Sequence, residues 1–579
     1  MEPAPTPLTR TVAYHADGGA LLESLMRQGV LRTDSRGSRP VDCVLLESAD
    51  ITTKASRTTV AILEATTRLT CWGGQVLAEA LPAGARGQLP GADGLAALSR
   101  LEDALGDHVV DHSWGRLALE LPTSADDDPA VEERTRLTAL STIEPLRILA
   151  AAEIDHPHLP LEAGAFAFDY LATFEFLPEV AQSTNTCPDY LFYDARIILV
   201  IDHPTGEATL VGASVDLPGL QTRMAELAAA IDAAPQGGES ADADHRPPRP
   251  ADPERTVLAS PTLSDAAFEE VVAEMKGYIA AGDVYQVVPS RGFTIDCPDA
   301  LAAYHVLRRS NPSPYMFYVA APRFELFGAS PESALLHSAR TGEVAIRPIA
   351  GTNPRGLHPD GSLDHERDTR LELELRTDAK EVAEHVMLVD LARNDVARVS
   401  RPGTRRVRDL MRVDRYSRVM HLVSEVSGQL AEGLDALDAF RASMTMGTLT
   451  GAPKLRAAEL IRAAEGVRRG SYGGSVGYIR GDGELDTCIV IRSAFVARGS
   501  ALVQAGAGVV SDSVPAKEAA ETVHKARAVL EAVATAQGAS LVIDPGAPPP
   551  STRKDDPDRE RRRRARDAML RGITQQEEA

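Results

Sequence analysis

Between Asp378 and Asp395 the run DAKEVAEHVMLVDLARND holds no glycine or proline and is rich in strong helix formers, which predicts a helix. Asp378 followed three residues later by Glu381 matches a capping box, so the helix starts there and Glu381 is expected to serve as a cap. Residues placed about 100° apart around the axis put Glu384 among Met387, Leu388 and Leu391, with apolar residues in almost every direction. A helix that is apolar all round is a buried one. A carboxylate on it must be paired, protonated or bound to a metal. Glu384 is therefore the first candidate for chemistry.

The remaining pattern predicts strands at 42–50, 164–170, 190–201, 284–293, 315–320, 324–327, 344–348, 418–430, 475–479, 486–497 and 501–505. Helices are expected at 217–234, at 264–281 with Ser264 or Asp265 as cap, at 453–464, and at 515–534 with Pro515 in the first turn. Runs of strands and then helices, without strict β-α-β alternation, predict an α+β fold with large mixed or antiparallel sheets packed with helices, in a two-part architecture. The Pro-, Gly- and charge-rich stretch 235–257 marks a boundary. The expected parts are 1–240, a linker at 241–257, 258–535, and a flexible basic tail at 536–579. The tail holds Arg559-Glu-Arg-Arg-Arg-Arg-Ala-Arg566, and no interleaved aromatics suggest RNA binding.

Composition narrows the class. At 579 residues and 44% apolar, the chain can bury large cores. A net charge of −22, from 83 acidic and 61 basic residues, argues against a nucleic-acid partner. Five widely spaced cysteines (Cys43, Cys71, Cys187, Cys297, Cys488) form no C-x-x-C pair, so neither a zinc site nor a disulfide framework is expected, and a reducing cytoplasm is. No signal-peptide pattern and no apolar run of membrane-spanning length is found, so no membrane association is expected.

Several constellations share one chemistry. Glu518 and Glu521 lie one turn apart with Lys517 and Lys525, either a solvated salt-bridged face or, with Glu384, an oxygen-ligand Mg²⁺ site. Gly506-Ala-Gly508 lets backbone amides approach an anion. Arg492, on a preceding strand, offers a fork for a carboxylate. His421 reads as a core histidine or a general acid/base. The Met446–Lys454 run offers a helix start able to bind an anion, and Glu332 is a carboxylate on a Ser-Pro turn. Together they suit an anionic small molecule held by Arg, backbone amides and Mg²⁺, without naming it.

In order along the chain, the blocks GDVYQVVPSR, NPSPYMFY, GASPE, RPIAGTNPRG, DAKEVAEHVMLVDLARND, VMHLVSEV, TLTGAPK, YGGSVGY, AGAGVV and KEAAETVHKA resemble the chorismate-utilising enzymes, most closely the component I subunits of anthranilate synthases. The resemblance implies Mg²⁺ ligands at Glu384 and Glu521, with the metal bridging to the ring carboxylate of chorismate. It implies carboxylate-holding amides at Gly506, Ala507 and Gly508, contacts to the enolpyruvyl carboxylate at Tyr472 and Arg492, and further substrate contacts at Gly351 and Thr352. Glu332 would be the general acid for loss of the C4 hydroxyl, and His421 would assist pyruvate elimination. Thr448 and Lys525 would support the pocket. Gln286 stands where water-adding relatives carry a lysine base, which implies ammonia as nucleophile. Ala350 stands where aminodeoxychorismate synthases carry an attacking lysine, which implies direct amination at C2.

The implied activity is conversion of chorismate and ammonia to anthranilate and pyruvate in tryptophan biosynthesis. No Cys sits in a G-x-C-x-G nucleophile elbow, so the resemblance implies a separate glutamine amidotransferase subunit in a hetero-oligomer. The Leu45–Asp50 block and Asn311–Phe317 resemble a tryptophan feedback site, with Glu47 and Ser48 toward the ligand amine and Pro314, Tyr315 and Met316 around its indole. The competing expectations are a 2-amino-2-deoxyisochorismate synthase, which stops before pyruvate loss, and a catalytically silent tryptophan-binding subunit.

Overall fold

The computed structural model describes residues 4–49, 56–123, 132–235, 252–358, 362–415 and 419–544; Asp50, the stretch 236–251 and the tail from 545 lie outside them. Long β-branched and aromatic runs make the strands, as in Tyr190–Asp202 (YLFYDARIILVID). That strand pairs antiparallel with Ser56–Trp72 and with Leu161–Phe166.

The sheet does not stop at the middle of the chain. Cys43–Ala49 pairs antiparallel with Tyr315–Ala320, and Leu161–Phe166 with Ser475–Arg480. From Tyr315–Ala320 the order continues through Glu325–Ser330, Ser493–Ala497, Ser500–Gly506 and Ser290–Asp296. From Ser475–Arg480 it continues through Leu485–Ile489, Ser333–Ser338, Glu343–Ile346 and Val419–Gln429, which also pairs with Ile349–Pro354 and Arg406–Arg415. A single apolar core holds Leu45, Leu63 and Ile197 from the first half with Tyr318, Phe327 and Leu530 from the second. The fold is α+β, with a large and mostly antiparallel sheet packed by helices.

Several boundaries differ from expectation for identifiable reasons. The run 284–293 is two strands, Gln286–Val287 and Ser290–Asp296, because Pro289 has no N–H to give a ladder. The run 486–497 divides into Leu485–Ile489 and Ser493–Ala497. Arg492 falls in the break with φ +48°, so it is not on a strand. Residues 252–257, expected in the linker, begin the strand Asp252–Pro261, and the first residues of the expected tail include the strand Ala539–Ile543 that pairs with it in parallel. Ser264 caps its helix by accepting from Ala267 N–H, and Pro515 opens the last helix, Pro515–Ala536. Among the described residues no helix is long and apolar enough to cross a membrane.

Candidate active site

The two helices singled out in the sequence, Ala379–Val399 and Pro515–Ala536, both line one cavity of about 410 Å³. Asp378 caps the first by accepting from Lys380 and Glu381 N–H. Glu381 does not close the box. Its carboxylate accepts from Thr352 N–H and lines the cavity. The helix is also not buried all round, since His385, Leu388, Val389 and Ala392 face the core while Val386 is exposed. Glu384 sits at the edge of the buried stripe, half-buried and on the cavity wall. The wheel put it among apolar residues, and Leu388 does share the cavity wall with it, but the groups acting on its carboxylate are Lys380, Glu381, Glu518 and Glu521.

From these two helices four carboxylates, Glu381, Glu384, Glu518 and Glu521, line the cavity with Lys380 and Lys525, and Glu332 adds a fifth. Burial, with the charges of Glu381, Glu521 and Glu518, raises Glu384 to about 7 against the pull of Lys380, 3.7 Å away. Burial opposes charge on Glu521 too, yet Lys525 at 2.7 Å holds it below the usual carboxylate range. Glu384 Oε1 is buried without a hydrogen-bond partner. Among the described residues no three acidic, His or Cys side chains converge to cage an ion. An array of hard oxygens with an unsatisfied one fits a Mg²⁺ ion that draws its other ligands from water and substrate.

The same cavity carries groups suited to proton transfer. Glu332 is buried, and burial pushes it up to about 8 against the pull of the Thr448 side chain, Ile349 N–H, Lys525 and Arg492. It is therefore a carboxylic acid at neutral pH. His421 is buried on Val419–Gln429, and burial with the Arg492 charge lowers it to about 3, so it is a neutral imidazole. Its Nδ1 lies 2.9 Å from Thr352 Oγ1 and 3.3 Å from the Gly351 carbonyl. A carbonyl only accepts, so Nδ1 carries the hydrogen and Nε2 is the basic nitrogen. Thr352 is the direct cross-strand partner of His421, across a register shift at Gly351, whose φ of +82° suits glycine.

Gly506 and Gly508 line the cavity; a side chain at Gly506 would meet the Pro289 carbonyl at 2.8 Å, whereas one at Gly508 would meet only the movable end of Gln286. A Cβ at Gly508 would lie 2.6 Å from Gln286 Nε2, and one at Gly506 3.0 Å from the Tyr472 hydroxyl. Lys525 donates to the Gly506 carbonyl at 3.0 Å. Ala507 departs from expectation: its N–H donates to the Pro289 carbonyl at 3.2 Å and its methyl packs with Val287 and Val509, so its amide is not offered to a ligand. Gln286, Ala350, Gly351, Thr352, Thr448, Tyr472, Arg492 and Lys525 all line the cavity. At the helix start expected in the Met446–Lys454 run, Thr448 lines the cavity, while the Lys454 ammonium is buried against Asp395 at 2.6 Å. The sequence reading missed Lys380, Gln504 and His524. Period gives a signal for each: Lys380 is one turn before Glu384, His524 follows Glu521 by three, and Gln504 precedes Gly506 by two on one strand.

The expected feedback blocks meet in register, Met316 directly opposite Glu47. Alternation then puts Glu47 and Met316 on one face of the sheet, with Ser48 and Tyr315 on the other. Glu47 accepts from Tyr304 and from Arg308 Nε at 3.0 Å on one oxygen and from Gly18 N–H at 3.3 Å on the other. That commits it to the protein rather than to a ligand amine. Ser48 Oγ accepts from Thr58 N–H, Tyr315 reaches Asp486, and Pro314 is half-buried beside it.

Comparison with known proteins places the chain in a family. The chorismate binding enzyme family matches residues 116–531. Anthranilate synthase component 1 of Vibrio cholerae is 49% identical over 503 residues, covering 85% of this chain and 91% of the relative. That of Escherichia coli is 47% identical over 508 residues, covering 87% and 94%. The solved structure of anthranilate synthase component I from Streptococcus pneumoniae superposes with a TM-score of 0.60 at 27% identity, covering 82% of this chain and 92% of that one. The chain belongs to the chorismate binding enzyme family.

Proposed function

We propose that this chain is the chorismate-converting subunit of an anthranilate synthase, making anthranilate and pyruvate from chorismate and ammonia. One observation carries the choice among chorismate chemistries: Gln286 and Ala350 both line the cavity, so neither a lysine base for water nor an attacking lysine stands there. Ammonia then adds directly at C2. The protonated Glu332 gives its proton to the C4 hydroxyl, which leaves as water. The C2 proton is then lost as the enolpyruvyl ether breaks, with neutral His421 at hand to handle a proton through Nε2, and the ring becomes aromatic as pyruvate departs. Tyr472, Arg492 and the Gly506 and Gly508 segment hold the two carboxylates, and Thr448 and Lys525 position Glu332 and Gly506. Glu384 and Glu521 would hold Mg²⁺, which when bound offsets the charge of the ring carboxylate.

The ammonia comes from a glutamine amidotransferase subunit, and ammonium salts replace it in vitro. Tryptophan feedback belongs to the same proposal. The strand pairing of the two blocks supports an effector site, placed on the Ser48 and Tyr315 face because Glu47 is already committed. Purified protein with chorismate, Mg²⁺ and ammonium should yield anthranilate, with turnover depressed by tryptophan. A product that keeps its enolpyruvyl group would instead identify an aminodeoxyisochorismate synthase.

A further inference from the structure

We infer that Gln504 is a substrate-contact residue whose amide nitrogen is turned toward the enolpyruvyl carboxylate of chorismate by Asn185, from the other half of the chain. The inference rests on the proposed function for the identity of the ligand. Asn185 is 1% exposed, and its Oδ1 accepts from the backbone N–H of Cys187 and of Ser471, each at 3.3 Å. Backbone N–H groups only donate, so the oxygen of Asn185 is fixed on that side. Its Nδ2 then donates to Ser471 Oγ at 3.0 Å and to Gln504 Oε1 at 2.9 Å. Gly470 closes the fit, since a Cβ there would lie 2.3 Å from Asn185 Oδ1.

With Oε1 committed to Asn185, Nε2 is the end of Gln504 left to meet a ligand, and Gln504 lines the cavity. It shares a face of the strand Ser500–Gly506 with Gly506, which lies against the Tyr472 hydroxyl. Gln504 and Tyr472 therefore offer neutral donors on the same wall of a cavity that Arg492 also lines, a set suited to a carboxylate. A residue from the first half of the chain thus sets the polarity of the wall without touching the substrate.

The test is steady-state kinetics of the purified full chain with ammonium as nitrogen source and chorismate varied. Gln504→Glu replaces the donor with a charge that repels a carboxylate. Asn185→Asp presents acceptors to Gln504, so the amide turns over and shows Oε1 to the substrate. Both variants should raise the chorismate KM about tenfold or more, with kcat within about threefold and the ammonium KM unchanged. Gln504→Glu with a wild-type chorismate KM overturns the contact. Asn185→Asp that lowers Tm and leaves KM unchanged shows a merely structural asparagine and overturns the orienting role. If Asn185→Asp does not fold, Gln504→Glu decides the contact and Asn185→Ser, which removes the amide, replaces it. Wild type that forms no anthranilate fails on the function itself, whereas active wild type with an unmoved variant fails on Gln504 alone.

Discussion

Two buried glutamates, Glu332 and Glu47, were both candidates for ligand contact, and their surroundings separate them. Glu47 sits in a filled polar node, with Tyr304, Arg308 and Gly18 N–H around its carboxylate. Glu332 sits on a cavity wall, where burial raises it to about 8 and so leaves it a proton to give below that pH. Nearby, Glu384 Oε1 and Gln286 Oε1 are buried without hydrogen-bond partners. Unsatisfied buried polar groups are costly, so a protein that gathers several of them around one space leaves them for a ligand. A glutamate whose bonds are complete within the fold is part of the scaffold.

Breaking Glu332 should have the largest effect. Glu332→Gln removes the proton donor and should lower kcat about a hundred- to ten-thousand-fold in a fluorescence assay of anthranilate, with the fold intact by circular dichroism. The folded value near 8 lies above the ordinary carboxylate value, so the acid is present below about pH 8 and lost above it. The kcat/KM profile should therefore fall as pH rises through about 8. Glu384→Gln comes next: it should lower activity about a hundredfold and raise the Mg²⁺ needed for half-maximal rate, read by metal titration. Full activity in this variant would contradict the metal assignment. Glu47→Ala sharpens the contrast from the other side. It leaves Arg308 with Asp17 at 3.0 Å as its remaining carboxylate and the Tyr304 hydroxyl without its acceptor, and should cost about 2 kcal/mol of stability by denaturant unfolding, with kcat within about twofold. Loss of tryptophan response without loss of stability would return Glu47 to the ligand.

The site was legible where its residues carry local signals. Glu384 was selected by helical period, Gly506 and Gly508 by the need for close backbone approach, and the cap at Asp378 by its type. What was not legible depends on pairings far apart in sequence. Ala507 looked equivalent to its glycine neighbours until Pro289, on the segment leading into Ser290–Asp296, took its N–H. Glu381 fits a capping box by spacing, yet Thr352 N–H draws its carboxylate into the cavity. The stretch 235–257 has the composition of a linker, but composition carries no trace of Cys43–Ala49 pairing with Tyr315–Ala320. Nor does it show Asn185 reaching Gln504. The two expected parts share one sheet because edge strands from each complete the other's ladder.

The central claim is that this cavity aminates chorismate at C2 and carries the reaction through to aromatisation. The most direct measurement is the mass and fluorescence of the product made by purified protein from chorismate, Mg²⁺ and ammonium. Anthranilate with one equivalent of pyruvate is the predicted result. A product that retains the enolpyruvyl group, or a hydroxylated rather than aminated ring, would contradict it.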